Sequence, residues 1–273
     1  MNVSGLFVYP IKACAGSAQT QARLTPRGLA HDRWMMVVDA DGRFLTQREC
    51  PTLALVTPTL DGERLTLSAA GLEPIAVTLR HAGERQSVVV WRSTCDAIDQ
   101  GDVAAEWFST HLGRAVRLVR AADDFHRTLD ATYAPRPGDT TAFADGYPIL
   151  VISEASLTDL NARLATALPM NRFRPNIVVQ GAEPYAEDVW RCFTIGGLRF
   201  EGVKTCARCV VTTTDQATAQ RGREPLATLA AYRDSARGVL FGQNVIQTPP
   251  EGSPTWDWGS VTVGDPVVAI ADC

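Results

Sequence analysis

Along the N-terminal third of the chain, apolar positions come in short runs broken by turn residues. Residues 5–9 read as an apolar strand stopped by Pro10. Residues 34–38 and 44–46 flank Asp41-Gly42, and residues 53–60 and 64–68 flank Asp61-Gly62; Asp-Gly between alternating apolar runs is a hairpin signal. Residues 87–91 add another strand. Short strands joined by such turns predict a barrel or sandwich rather than a parallel sheet. A first helix is predicted over 103–112, with Val103, Trp107 and Leu112 as its apolar stripe, Asp102 as its cap and Gly113 at its end. Residues 121–146 are polar and broken by Pro135, Pro137, Gly138 and Gly146, which predicts a loop, either a wall over a site or a plain linker.

Beyond the loop, residues 149–152 predict a strand. A second helix is capped by Ser153, with Leu157, Leu160, Leu164 and Leu168 at helical spacing and Pro169 at its exit. Strands are expected at 177–179, 193–195 and 198–200, and the β-branched run 210–214 reads as another. Pro225 opens a short third helix. Residues 260–263 and 266–270 predict two strands around Gly264-Asp265. The fold class this implies is α+β, mainly β with three helices, and the expected division is a barrel-like unit over 1–120 and a second β-rich unit over 121–273.

Composition narrows the function. The 273 residues, 45% hydrophobic and 21% charged, suffice for two ordinary globular cores. A net charge of -4 argues against a nucleic-acid partner, which needs a basic face. It leaves room for a local basic pocket. The N-terminus lacks a basic segment followed by a long apolar one, and no apolar run approaches a membrane span, so no membrane span and a cytoplasmic location are expected.

Chemistry concentrates in a few strings. Cys206-Ala-Arg-Cys209 has four readings. It can be half of a zinc site, although no second pair of cysteines or paired histidines supplies the other ligands. It can be a dithiol, although the β-branched run after Cys209 is unlike a helix start. It can be an inert buried pair. It can also supply a thiolate to a soft metal, with the adjacent Arg208 steadying the thiolate or meeting an anion. In Tyr9-Pro10-Ile11-Lys12-Ala13-Cys14-Ala15-Gly16, a lysine just past a strand end is placed either to meet an anion or to sit in solvent. Arg174 in Asn171-Arg172-Phe173-Arg174-Pro175-Asn176, and Arg33 just before a strand, carry forked donors suited to phosphate; both can equally be solvated.

Taken in order, the strings YPIKxCxG, DRW, LTQRE, ISEASLTDLN, FRPNIVVQG, YAED, CARCVVTTTD and VGDPV resemble the MOSC family, in its branch with an N-terminal β-barrel domain. The resemblance runs from about residue 3 to residue 270. It implies an N-terminal MOSC β-barrel domain followed by a MOSC domain. It implies a pyranopterin-dithiolene molybdenum cofactor, with Cys209 as metal ligand and catalytic centre. By position, Lys12, Arg33 and Arg174 would hold the cofactor, with Asn176 and Arg208 beside them.

Two departures stand out. Ala13 replaces the usual serine, which removes a hydroxyl contact, and Gly146-Tyr147 replaces a Thr-Ser pair, where a glycine can still present its backbone to phosphate. Arg48 or Asp215 is expected at the mouth. The implied activity is reduction of N-hydroxylated small molecules, with electrons from a separate flavin reductase, ferredoxin-like protein or haem carrier. The alternatives are a sulfur carrier or transferase using a Cys209 persulfide, and a barrel that binds a pterin or anion without turnover.

Overall fold

The computed structural model describes residues 1–252 and 257–270. The final stretch of the expected second unit, Cys273 included, lies outside the described residues. The chain is α+β, with three α-helices among the described residues.

An eight-stranded sheet carries most of the second half. Its order is Val267–Ile270, Cys192–Ile195, Leu198–Ala207, Leu240–Gln247, Ile149–Ser153, Ile177–Gln180, Asn2–Val8 and Ser17–Gln19. The strand that opens the chain therefore sits inside this sheet, antiparallel to Ile177–Gln180. Near the far end of the sequence, Ser260–Thr262 pairs with Gln21–Thr25. Ile149–Ser153 and Ile177–Gln180 are parallel, and almost every residue in them is buried. That explains why both read as unbroken apolar runs rather than as alternation.

The rest of the first half forms two smaller sheets, Met35–Val38, Arg117–Ala121, Ser93–Asp99 and Arg85–Val90 in one, and Thr57–Asp61, Arg64–Ala69 and Leu72–Thr78 in the other. Met35–Val38 is buried throughout. Its period of two sends Met35 and Val37 into a cluster with Ile11, Leu53 and Phe108. Met36 and Val38 enter a second cluster with Phe44, Phe125 and Phe143.

Helix α1, Asp102–Leu112, buries Ala104, Ala105, Trp107 and Phe108, whereas Val103 is 58% exposed. Of the expected stripe, Trp107 is buried and Leu112 packs against the same core, while Ala104 takes the inward place expected of Val103. Asp102 does not cap the helix. The cap residue is Gly101, at φ 92°. Asp99 accepts a hydrogen bond from the Gly101 N–H at 2.7 Å and pairs with Arg117. Helix α2, Glu154–Asn161, starts at Ser153 as expected, Oγ accepting from the Ser156 N–H at 3.1 Å. It stops before Leu164 and Leu168 because the Asn161 amide bonds both backbone groups of Leu168, at 2.9 and 3.0 Å. Helix α3 is Leu226–Arg233.

Two other expectations change. Residues 53–60 are not one strand: Pro51–Leu55 is a 3-10 turn that leads into Thr57–Asp61. The run after Cys209 is also a 3-10 turn, Val210–Thr213. There the Thr212 and Thr213 hydroxyls donate back to the Cys209 and Val210 carbonyls at 2.9 and 2.8 Å, a local competition that overrides β propensity.

Candidate active site

A cleft of about 160 Å³ opens where the N-terminal segments around residues 12, 33 and 46–48 meet the strand ends and turns around 173–176 and 206–212. All eight residues singled out in the sequence line it: Lys12, Arg33, Gly146, Tyr147, Arg174, Asn176, Arg208 and Cys209. Among the described residues five cationic side chains face it, Arg48 being the fifth beside Lys12, Arg33, Arg174 and Arg208, against the single carboxylate of Asp145. In a chain of net charge -4 this is a local reversal of sign, which focuses a positive field into a partly dry cavity.

The floor rests on Tyr9. Its ring is 3% exposed, its hydroxyl donates to the Pro175 carbonyl at 3.1 Å, and its backbone N–H donates to Asp32 at 2.9 Å. The Arg33 and Arg174 guanidinium carbons each lie 4.2 Å from the Tyr9 ring centroid. Burial pushes the Tyr9 hydroxyl up to about 12 despite the arginines. Burial, with Arg33 beside it, pulls Arg174 down to about 10. Gly16, in the same motif, leaves space for the ring: a Cβ there would lie 2.4 Å from Tyr9 Cε1.

Arg33 is committed on one side, pairing with Asp32 at 2.5 Å and donating to Asn176 Oδ1 at 3.0 Å. Asn176 is 1% exposed. Its Oδ1 also accepts from the Leu150 N–H, and its Nδ2 donates to the Phe7 carbonyl, both at 3.2 Å. Its amide is therefore spent on joining Arg33 to two strands. Among the described residues the Arg174 side chain makes one hydrogen bond, a long one of 3.4 Å from Nη1 to Gln216, and its buried Nη2 has no hydrogen-bond partner. Ala13, Arg33 and Arg174 all take left-handed backbone, at φ 70°, 51° and 54°. For residues with a Cβ this costs energy, and it gathers here at the cleft.

Lys12 is buried, donates to the Phe143 carbonyl at 2.8 Å, and pairs with Asp145. Burial lowers the Lys12 pKa and Asp145 opposes it. Against its own desolvation, the Asp145 carboxyl is held well below the usual range by Lys12. The Asp145 loop is the polar stretch 121–146, and it is a wall rather than a plain linker. Arg127 clamps it through the Ala142, Ala144 and Asp145 carbonyls at 2.9, 2.6 and 2.9 Å. At Gly146 a side chain would meet nothing within 4 Å.

At the sulfur end the partners differ from expectation. Arg208 donates to Cys206 Sγ at 3.0 Å and to the Phe173 carbonyl at 2.6 Å. The guanidinium on Cys209 is that of Arg48, Nη2 to Sγ 3.2 Å. Sequence adjacency misled because the strand Leu198–Ala207 ends before Arg208 and Cys209 caps the turn Val210–Thr213, so the two side chains meet different partners. Asp215 does not line the cleft; it closes a turn through the Ala217 and Thr218 N–H groups and pairs with Arg172. Sequence reading missed Asp145 and the amide pair of Gln47, which lines the cleft, and Gln216, whose side chains exchange hydrogen bonds at 3.1 and 3.0 Å. The only signal was the polar pair Thr46-Gln47, buried in continuation of the apolar run Phe44-Leu45.

This architecture, a thiol in a cationic cleft between two β-rich parts, goes with the matches to known families. The profile described as MOSC N-terminal beta barrel domain matches residues 1–115, and that described as MOSC domain matches residues 138–268. The chain belongs to the MOSC family, in the branch with the N-terminal barrel.

Among curated relatives it is 34% identical to mitochondrial amidoxime-reducing component 1 of Homo sapiens, over 98% of this chain and 83% of that protein. It is 37% identical to mitochondrial amidoxime reducing component 2 of Rattus norvegicus, over 99% and 84%. It is also 32% identical to molybdenum cofactor sulfurase of Bos taurus, over 90% of this chain but 30% of that longer protein. No helix among the described residues is long and apolar enough to cross a membrane.

The cleft fits the cofactor the family implies. A phosphate-bearing pterin needs cationic and N–H donors, and the unpartnered Arg174 Nη2 is such a donor. Among the described residues no three His, Cys, Asp or Glu side chains cluster to hold a metal by themselves. A soft metal meeting Cys209 would therefore bring most of its ligands with it.

Proposed function

We propose that this chain is a molybdenum-cofactor-dependent reductase of N-hydroxylated small molecules, with Cys209 as the protein ligand to the metal. The observation that supports it most directly is the half-buried Cys209 thiol, held by Arg48 at one end of a cleft whose other charged groups are Lys12, Arg33, Arg174, Arg208 and Asp145.

When bound, the cofactor supplies two-electron removal of oxygen from an N–O bond, which with two protons turns the substrate into an amine or amidine and water. The residues of the chain bind and orient. Arg33 and Arg174, ordered on Tyr9, meet the anionic part, with Lys12 beyond them. Asn176 acts by fixing Arg33, and Gly146 and Tyr147 form the wall from which backbone groups reach inward. Arg208 steadies Cys206 and the Phe173 turn. Electrons come from a separate protein, a flavin reductase, a ferredoxin-like protein or a haem carrier, and the setting is cytoplasmic.

A sulfur-carrier reading, with a persulfide on Cys209, is favoured by the match to the sulfurases. The two separate on metal content. Protein made in a host that synthesises the cofactor is expected to hold about one molybdenum per chain by mass spectrometry, and Cys209→Ala to lose it together with turnover of an N-hydroxylated amidine. Cyanide-labile sulfur on Cys209 without molybdenum would replace this proposal with the carrier.

A further inference from the structure

Arg48 is an unusually constrained surface-side arginine. Its backbone N–H donates to Thr46 Oγ1 at 3.1 Å, and its carbonyl accepts from Arg221 at 3.1 Å. Its guanidinium carbon lies 4.7 Å from the Trp91 ring centroid. Trp91 sits at the tip between strands Arg85–Val90 and Ser93–Asp99, at φ 56°. A large aromatic at 40% exposure in a left-handed turn is costly and asks for a reason. Its contacts supply one. The ring packs on Phe44, centroids 5.0 Å apart, and its indole N–H donates to Asp145 at 3.2 Å. Trp91 is thus fixed from two sides and presents its ring to Arg48. Arg208 cannot substitute, because its guanidinium is taken by Cys206 and the Phe173 carbonyl.

A charged N–H donor on a metal-bound sulfur withdraws electron density from the ligand and adds positive charge beside the metal. Both effects favour the state with more electrons, and hydrogen bonds to ligand sulfur are an established lever on reduction potential. We infer that Arg48 raises the reduction potential of a metal held by Cys209, and that Trp91 is the positioning residue that keeps Arg48 on the sulfur. The inference rests on the reading of Cys209 as the metal ligand.

The test is an EPR-monitored redox titration of the molybdenum-loaded protein, with metal content measured on each sample. Arg48→Met is expected to shift the oxidised-to-reduced equilibrium about tenfold toward oxidised metal, which is about 59 mV lower for a one-electron step. Trp91→Leu is expected to move the same way by less, while Trp91→Phe, which keeps a ring under the guanidinium, stays near the parent protein. Arg48→Met that holds molybdenum at an unchanged potential overturns the inference. If that variant loses its metal, Arg48→Gln, which keeps an N–H donor but removes the charge, decides: a lowered potential supports it and an unchanged one overturns it. A parent protein that holds no molybdenum overturns the underlying reading, and this inference with it.

Discussion

Gly16→Ala is the smallest change that should disturb the cleft without touching a charged residue. The new Cβ would lie 2.4, 2.5 and 3.0 Å from three atoms of the Tyr9 ring, where ordinary contact begins at 3.4 Å. The ring must withdraw by about 1 Å at the closest atom, and it is poorly placed to do so. It is 3% exposed, its hydroxyl is held on Pro175, and Arg33 and Arg174 lie against it. Overpacking of this kind costs about 1–3 kcal/mol. For a chain of this size each kcal/mol lowers the melting temperature by about 2–4 °C. Because Tyr9 carries both arginines, the loss should appear twice, as a lower unfolding midpoint and as weaker cofactor retention. Adding Tyr9→Leu, which vacates the ring space, should return part of the stability but not the retention. A Gly16→Ala protein that melts with the parent and keeps its cofactor through gel filtration would refute the platform role of Tyr9.

Three further outcomes follow from the same geometry. Asn176→Ala strands an Arg33 donor, the Leu150 N–H and the Phe7 carbonyl, and at about 1–3 kcal/mol for each buried unsatisfied group it should cost at least about 2 kcal/mol in urea; a loss under half that would contradict the hub role. Gly146→Ala meets open space and no left-handed backbone, so its stability should stay within about 0.5 kcal/mol of the parent with cofactor content unchanged. Asp99 has its pKa lowered by Arg117 and the Gly101 N–H. A depressed carboxyl stabilises above its unfolded pKa, about 3.9, and the contribution is lost as pH falls through the lower folded value. Asp99→Asn should therefore be about 1–2 kcal/mol less stable at pH 7 and converge with the parent in acid, which paired denaturation curves at the two pH values would show.

The elements legible in the sequence were those whose local and tertiary preferences agree: the Asp61-Gly62 hairpin, the Ser153 cap, and the two apolar runs that became neighbouring central strands. Misreadings fell where a side chain competes with its own backbone, as in the Thr212–Thr213 turn, or where a strand is buried yet polar. Leu240–Gln247 went unseen because it carries Gly242 at φ 80° and buries Gln243 and Gln247 at 2% and 1%. Leu72–Thr78 went unseen because most of it is exposed and Pro74 interrupts it. In the site, residue types in recognisable strings pointed to eight of the residues that line the cleft and not to Asp145 or Gln47. Who touches whom did not follow, since Arg48 reaches Cys209 across 161 positions of sequence.

The stitching of Asn2–Val8 against Ile177–Gln180 bears on how the molecule is made. At ribosomal rates of about 5–20 residues per second, the partner of the opening strand emerges roughly 9–35 s after it. Through that interval a strand holding Val3 and Leu6, each 1% exposed in the finished fold, has only the short strand Ser17–Gln19 to pair with. Tyr9, Lys12 and Arg33 travel with it, so the anion cradle cannot gain Arg174 and Asn176, and thus cannot be completed, during synthesis of the first half. Translation speed and chaperone supply should then govern the yield of cofactor-competent protein more than the thermodynamic stability of either half.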